Sequence, residues 1–295
     1  MNIDPIDPVS RPFFGGRASG IDITRPLTPE QAVAIEAGMD RFGVLVFHGQ
    51  HFDDEAQIAF SRNFGALEEA SGDLNWGQKR RIESPFVNDI SNLDDDNKVM
   101  AVADRKRLFS LGNRLWHSDS SFKAVPAKYS LLSARRIPGA GGNTEFADMR
   151  AAYDALDSET KTLLADLICE HSQLYSRGLL GFDDFTEHDR QRFKPVLQRL
   201  VRTHPSTGRR SLFLASHAGA IVGWPVPEAR ALLRDLAEHA TQRQFVYAHE
   251  WKQWDLVIWD NRATMHRARP FDASQIRDMH RTTVACENAT MAETA

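Results

Sequence analysis

Four apolar residues in a row, Val44-Leu45-Val46-Phe47, stand between Gly43 and the polar turn His48-Gly49-Gln50. A run that short and that apolar suits a strand covered on both faces. The pattern recurs. Short strands are predicted at 19–23, 86–90, 129–134, 143–146, 200–203, 211–215, 244–247, 255–259 and 282–285. Ser206-Thr207-Gly208 turns the chain between two of them, and the tight Pro138-Gly139-Ala140-Gly141-Gly142 turn delivers another. Helices are fewer. Thr28-Pro29-Glu30-Gln31 reads as a helix start, with Thr as N-cap, Pro in the first turn and Gln as capping-box partner. That helix should bury Ala32, Ile35 and Met39 and stop at Gly43. Others are expected from Asp53 or Asp54 to Phe64, over 149–156 and 158–168, and over 227–240 with Ala231, Leu232, Leu236 and Ala240 inward. Strands mixed with a few helices, without regular βαβ units, predict a mainly β fold: a sandwich or jelly-roll core with flanking helices.

A chain of 295 residues with 42% apolar and 26% charged residues can build a normal core. No Pro/Gly/Ser-rich linker and no repeat divides it, so one domain over 1–295 is expected. The polar stretch at about 66–84, with Lys79-Arg80-Arg81, reads as a solvated surface or a flap over a site. Residues 93–107 read as an exposed loop, with Asp94-Asp95-Asp96 as a solvated turn, and about 176–197 as an irregular insertion. A net charge of −4 argues against a nucleic-acid partner. Residues 1–17 have no apolar segment behind a basic start, and no run reaches the ~18 apolar residues of a membrane span. Cys169 and Cys286 suggest reduced thiols rather than a disulfide framework. The expectation is a cytoplasmic protein with no membrane partner.

The chemistry gathers around Leu115-Trp116-His117-Ser118-Asp119-Ser120-Ser121-Phe122. On an extended segment, residues two apart point the same way, so His117 and Asp119 can share one metal ion. A His-x-Asp pair alone is common by chance. His266, beyond the strand at 255–259, offers a third ligand, and two His with one carboxylate is the ligand set of non-heme Fe(II) oxygenases. Arg277, Met279, Arg281 and Thr283 would share a strand face. Two arginines on one face call for anions, and guanidinium forks suit carboxylates.

With these residues in view, the chain resembles the Fe(II)/2-oxoglutarate dioxygenases of the taurine dioxygenase family, and among them most the 2,4-dichlorophenoxyacetate dioxygenases. The motifs are Leu115–Phe122, Gly141–Phe146, Met149–Leu156, Val201–Pro205 and Trp259–Arg262, with His266, Arg277 and Arg281. The resemblance implies a double-stranded β-helix (jelly-roll) fold. It also implies Fe(II) on His117, Asp119 and His266, with 2-oxoglutarate held by Arg277 and Thr144 and with O2 as oxidant. Arg281 would sit near the substrate anion, and Asn113, the Ser120 N–H and His217 would contact substrate. The implied reaction cleaves an aryloxyacetate, a small aromatic carboxylate. The same chemistry on a sulfonate or alkyl sulfate is the alternative. A sensor on the same fold would have no reason to keep the whole set, and a zinc hydrolase no use for the cosubstrate arginine. A homo-oligomer is a further expectation from relatives. Departures from the family pattern fall in the flap, at Asp73 among others, and near 176–185, where ring and chirality preference are set.

Overall fold

The computed structural model describes residues 1–70 and 80–293, so much of the expected flap, Asp73 included, lies outside the described residues. The apolar runs form the middle of a seven-stranded sheet. Its order is Asn2–Pro5, Gly16–Ser19, Val44–Phe47, Leu256–Asp260, Ala127–Arg136, Asp278–Ala285 and Asn88–Asp89. All neighbours are antiparallel except Gly16–Ser19 against Val44–Phe47. A smaller sheet places Thr144–Asp148 between Val246–His249 and Thr264–Ala268.

Alternation along these strands explains why their runs are apolar throughout. Val44, Val46, Val257, Trp259, Leu132 and Ala134 meet Phe146 and Tyr247 of the smaller sheet in one core. Leu45, Phe47, Leu256, Ile258 and Leu131 point the other way, onto Ile35, Met39, Phe42, Phe60 and Phe64 of the N-terminal helices. A third core packs Ala147 and Met265, on the outer face of the smaller sheet, against helices Met149–Asp154 and Val226–Ala240. The central strands therefore bury both faces, and helices cover both outer faces of a two-sheet core, which agrees with the predicted jelly-roll arrangement.

Local signals near chain turns hold well. Thr28 caps helix Pro29–Phe42 with the full capping box, and Gly43 ends it at φ 65°. Ile35 and Met39 are buried there, while Ala32 is half-buried. Asp53 caps Asp54–Ser61, and a 3₁₀ turn carries the chain on to Phe64. In the late helix, Val226–Ala240, Leu236 and Ala240 are buried as predicted, while Ala229 and Leu233 are buried in place of Ala231 and Leu232, which are half-buried.

Elsewhere the structure corrects the expectation. The strand predicted at 19–23 ends at Ser19, because Gly20 turns the chain at φ 69°. Only Asn88–Asp89 of 86–90 is strand, since this edge pairs with Asp278–Ala285 at His280 and Arg281 alone. The strand expected at 211–215 is Arg210–Leu212, and that expected at 244–247 is Val246–His249 after a 3₁₀ turn. The predicted helix over 158–168 stops at Leu164, and Ile168–His171 instead becomes the centre of a three-stranded sheet with Ala218–Ile221 and Val196–Arg199. Residues 176–197 are not irregular. They complete helix Gln173–Gly178, form Glu187–Arg192 and enter Val196–Arg199. The capping box of Thr186 and Asp189 starts the second helix, a signal already in the sequence. The exposed loop at 93–107 likewise runs into helix Arg105–Ser110, capped by Asp104. Asp94 is a local turn, accepting from the N–H groups of Asp96 and Lys98. Arg81 is not a solvated surface residue: its Nη2 donates to Asp89 at 2.7 Å and to Asp278 at 2.5 Å.

Candidate metal and cosubstrate site

His117 and His266 meet through the backbone. The His117 N–H donates to the His266 carbonyl at 3.0 Å, and the His266 N–H returns the bond at 2.8 Å. A directly opposed antiparallel pair places both side chains on one side, and the rings lie 4.2 Å apart between centroids. The expectation that 115–122 is an extended strand is corrected here. Leu111–Arg114 is a 3₁₀ turn, His117 alone is bridged, and the chain turns at Asp119 and Ser120, with Ser120 at φ 54°. Asp119 therefore joins His117 through a pinned turn. Asn261 Oδ1 accepts from the Asp119 N–H at 2.9 Å, and Ser118 Oγ donates to the Thr264 carbonyl at 3.0 Å.

The resulting geometry suits a divalent ion. Asp119 Oδ1 lies 3.8 Å from His117 Nε2, and Oδ2 lies 3.7 Å from His266 Nε2. One donor atom from each residue falls within 4.8 Å of the others, and all three side chains are buried. His117 Nδ1 is 2.7 Å from the Leu115 carbonyl, which can only accept. The proton thus sits on Nδ1, and the Nε2 lone pair turns toward Asp119. Burial holds His117 below its ordinary pKa and His266 well below it, so both imidazoles are neutral. For Asp119, burial would raise the pKa, but the neighbouring Arg281 guanidinium and the Ser130 hydroxyl outweigh it, and the carboxylate stays ionised. Ser130 Oγ donates to its Oδ2 at 2.7 Å. Two neutral nitrogens and one carboxylate are what a metal needs ready before it binds.

The triad opens into a cavity of about 210 Å³, and every predicted site residue lines it: Asn113, Ser120, Thr144, His217, Arg277 and Arg281, beside the three ligands. Thr144 Oγ1 accepts from Trp251 Nε1 at 3.0 Å, which fixes its orientation. The Arg277 backbone is tied to Asn92 Oδ1, and its guanidinium lies against the Phe271 ring at 5.9 Å. Its side chain reaches one carbonyl, that of Ile90, at 3.5 Å and pairs with no carboxylate among the described residues. Burial pushes this arginine down to about 10. Arg281 is different, for its Nη1 already donates to Asp119 Oδ1. Ser120 Oγ donates to Glu68 at 2.7 Å, and Lys123 shares that carboxylate. His217 Nδ1 meets Ser176 Oγ at 2.8 Å, and its ring stands edge-on to Phe122.

Sequence reasoning did not find Arg177, Phe109 or Trp251, which reach the site from helices and loops remote along the chain. Nothing local marks Arg177 as a site residue, since its neighbours Gln173–Gly181 carry no acid that would betray a missing partner.

A two-sheet core carrying this triad and an unpaired buried arginine defines a metal-dependent oxygenase site. The chain belongs to the taurine catabolism dioxygenase TauD, TfdA family, whose profile matches residues 3–283. It is 45% identical over 273 residues to an alpha-ketoglutarate-dependent 2,4-dichlorophenoxyacetate dioxygenase of Burkholderia sp. (strain RASC), covering 92% of this chain and 91% of the relative. It is 36% identical to the (S)-phenoxypropionate/alpha-ketoglutarate-dioxygenase of Sphingobium herbicidovorans, covering 98% and 96%. Among solved structures, AAD-2 in complex with Mn(II) and N-oxalylglycine superposes with a TM-score of 0.92 at 55% identity, covering 99% of this chain and all of that one. The chain is an oxidoreductase of the dioxygenase class.

Proposed function

We propose that this protein is an Fe(II)- and 2-oxoglutarate-dependent dioxygenase that cleaves an aryloxyacetate such as 2,4-dichlorophenoxyacetate. The observation that carries the reading is one cavity holding both the triad and Arg277, a buried cation with no acid partner among the described residues. Likeness to phenoxyacetate and phenoxypropionate dioxygenases supports the substrate class. N-oxalylglycine, found with the AAD-2 neighbour, has the shape and charge of 2-oxoglutarate.

His117, Asp119 and His266 would hold the iron as its three protein ligands. Bound iron supplies the oxidising power that O2 and 2-oxoglutarate generate as the keto acid becomes succinate and CO2. Arg277 takes the distal carboxylate of 2-oxoglutarate by its fork, and Thr144 adds a hydrogen bond. Arg281 keeps the Asp119 carboxylate ionised and faces the substrate side, with Asn113, Ser120 and His217. The protein's work is to orient the substrate carbon next to the ether oxygen and to exclude water. Hydroxylation of that carbon gives a hemiacetal, which releases the phenol and leaves glyoxylate.

The described residues act as one domain, since one core joins the two sheets and a further core packs on the outer face of each. No helix among the described residues is long and apolar enough to cross a membrane. Both cysteines are free thiols, as a reducing cytoplasm would keep them.

The test is a product panel. With Fe(II), 2-oxoglutarate and O2, phenol should appear from aryloxyacetates and no sulfite from taurine-like sulfonates. Sulfite without phenol would reverse the substrate assignment. Anaerobic Fe(II) with 2-oxoglutarate should give a weak visible charge-transfer band, and a folded protein that lacks it would lose the cosubstrate assignment.

A further inference from the structure

Ser120 departs from ordinary backbone geometry. Its φ of 54° is left-handed, a conformation that a serine keeps only where its surroundings enforce it. The residue is 7% exposed and lines the same cavity as Arg281. Its N–H donates to no acceptor among the described residues. A buried backbone N–H is rarely left so, and one on a cavity wall is available to a ligand. Arg281 Nε has no partner either. Two unpaired donors, a guanidinium N–H and a backbone N–H, therefore line one cavity, and a carboxylate can accept from both.

The Ser120 side chain shows what enforces the conformation. Its Oγ donates to Glu68 Oε2 at 2.7 Å, and Lys123 Nζ donates to the same oxygen at 2.5 Å. The Lys123 N–H also closes a turn onto the Ser120 carbonyl at 2.9 Å. Gln198 Nε2 holds the next stretch, donating to the carbonyls of Ser121 and Lys123 at 2.8 Å each. Of these partners, Glu68 is the one fixed to the strand that carries Arg281, Asp278–Ala285. Its N–H donates to the Thr283 carbonyl at 2.8 Å, next to the bridge between Leu67 and Val284. The Glu68 carboxylate thus ties that strand to Ser120. Lys123 offsets its charge, so an acid can stand in a cavity that receives an anion.

We propose that Glu68 is a positioning residue for the substrate: it locks Ser120 in the left-handed conformation, and so presents the Ser120 N–H to the substrate carboxylate alongside Arg281. This rests on the aryloxyacetate reading above. Glu68 acts through Ser120, by setting two donors from different elements in fixed relation before the substrate arrives.

The experiment follows phenol release from phenoxyacetate in wild type, Glu68→Ala, Glu68→Gln, Ser120→Ala, Ser120→Gly and the double variant Glu68→Ala/Ser120→Ala. Glu68→Ala should raise the KM for phenoxyacetate about 10-fold, the scale of one hydrogen bond to a charged group. Iron content and the anaerobic 2-oxoglutarate band should stay at the wild-type level. Glu68→Gln keeps an acceptor for Ser120 Oγ and should recover part of the loss. Ser120→Ala removes the same bond from the other side, so it should match Glu68→Ala, and the double variant should be no worse than either. Ser120→Gly should lie closer to wild type, because glycine takes a left-handed φ without steric cost. Phenoxyacetate should raise the Tm of the wild type more than that of Glu68→Ala. An unchanged KM in Glu68→Ala, or losses that add in the double variant, would overturn the proposal. So would an equal fall in 2-oxoglutarate affinity, the mark of general damage to the site. If Glu68→Ala does not fold, Ser120→Ala with a normal KM overturns it alone. A wild type that releases no phenol from any aryloxyacetate would sink the function reading on which this one rests.

Discussion

Five arginine side chains are buried among the described residues, and they divide by what they face. Arg150 and Arg262 lie in the scaffold and Arg202 near the C-terminus, each paired with an acid. Arg150 reaches both oxygens of Asp148, at 2.9 and 3.1 Å, and Arg262 both oxygens of Asp260, at 2.8 and 2.6 Å. In both, the acid stands two residues earlier, at the end of a strand. Arg177 and Arg277, in the cavity, have no acid at all among the described residues. The scaffold arginines complete their charge balance at folding. The cavity arginines leave theirs open for a ligand, and that difference separates structure from site more sharply than burial does.

The comparison can be broken in a graded series. The largest effect is expected from the triad, which lies on the ligand side. Changing His117 or Asp119 to Ala should leave less than about 1% of turnover, because an outer-shell partner alone is worth 10–100-fold. Turnover and metal content after gel filtration check this, and a variant that keeps both would remove that residue from the metal site.

Next come one arginine system from each region, with opposite signs. Asp260→Ala strands Arg262 and His204, whose Nε2 lies 3.0 Å from Asp260, and should cost about 3–5 kcal/mol, a Tm fall of roughly 10 °C. Arg277→Gln should hold or raise Tm yet increase the 2-oxoglutarate KM at least about 30-fold. If Arg277→Gln destabilises as much as Asp260→Ala, the division between the two regions is wrong.

Acid titration sharpens the scaffold side. Burial would raise the Asp260 pKa, but Arg262 and His204 draw it far below the carboxylate range. Its stabilising contribution is therefore full above about pH 4, the unfolded value, and is lost as pH falls toward the folded one. Urea unfolding between pH 5 and pH 3 should show a steep loss in wild type and a shallower one in Asp260→Asn. Equal slopes would mean that another carboxylate dominates.

The smallest effects are expected from single side chains. Burial would lower the His280 pKa, but Asp278, 3.3 Å from Nε2, and Asp54, 2.5 Å from Nδ1, raise it. That contribution is full below about pH 6.5 and disappears as pH rises through the raised value. Wild type should lose about 1 kcal/mol more than His280→Gln between pH 6 and pH 9. Thr144→Ala is expected to raise the 2-oxoglutarate KM only a few-fold, the worth of one hydrogen bond.

Much of this was legible from residues alone. The caps at Thr28 and Asp53, the stop at Gly43 and the apolar runs at 44–47 and 255–259 appear where the sequence places them. All nine residues expected at the site line one cavity. The misreadings have two causes. Local pattern over 158–168 predicts helix, yet Ile168–His171 is strand because Val196–Arg199 and Ala218–Ile221 pair with it from far along the chain, whereas the helix within 176–197 begins on a local capping box at Thr186. The 115–122 segment carries the right ligands by a different route, a single bridge and a turn in place of a strand.

The sequence by itself determined what depends on near neighbours: caps, turns, the alternation that buries both faces of the central strands, and the ligand types at His117, Asp119 and His266. It also determined the scaffold ion pairs, since Asp148 and Asp260 stand two residues from their arginines. Only the tertiary structure decided which charges remain unpaired. Whether a guanidinium meets an acid depends on every wall of its cavity, and the walls around Arg177 and Arg277 come from segments scattered between Ile90 and Phe271.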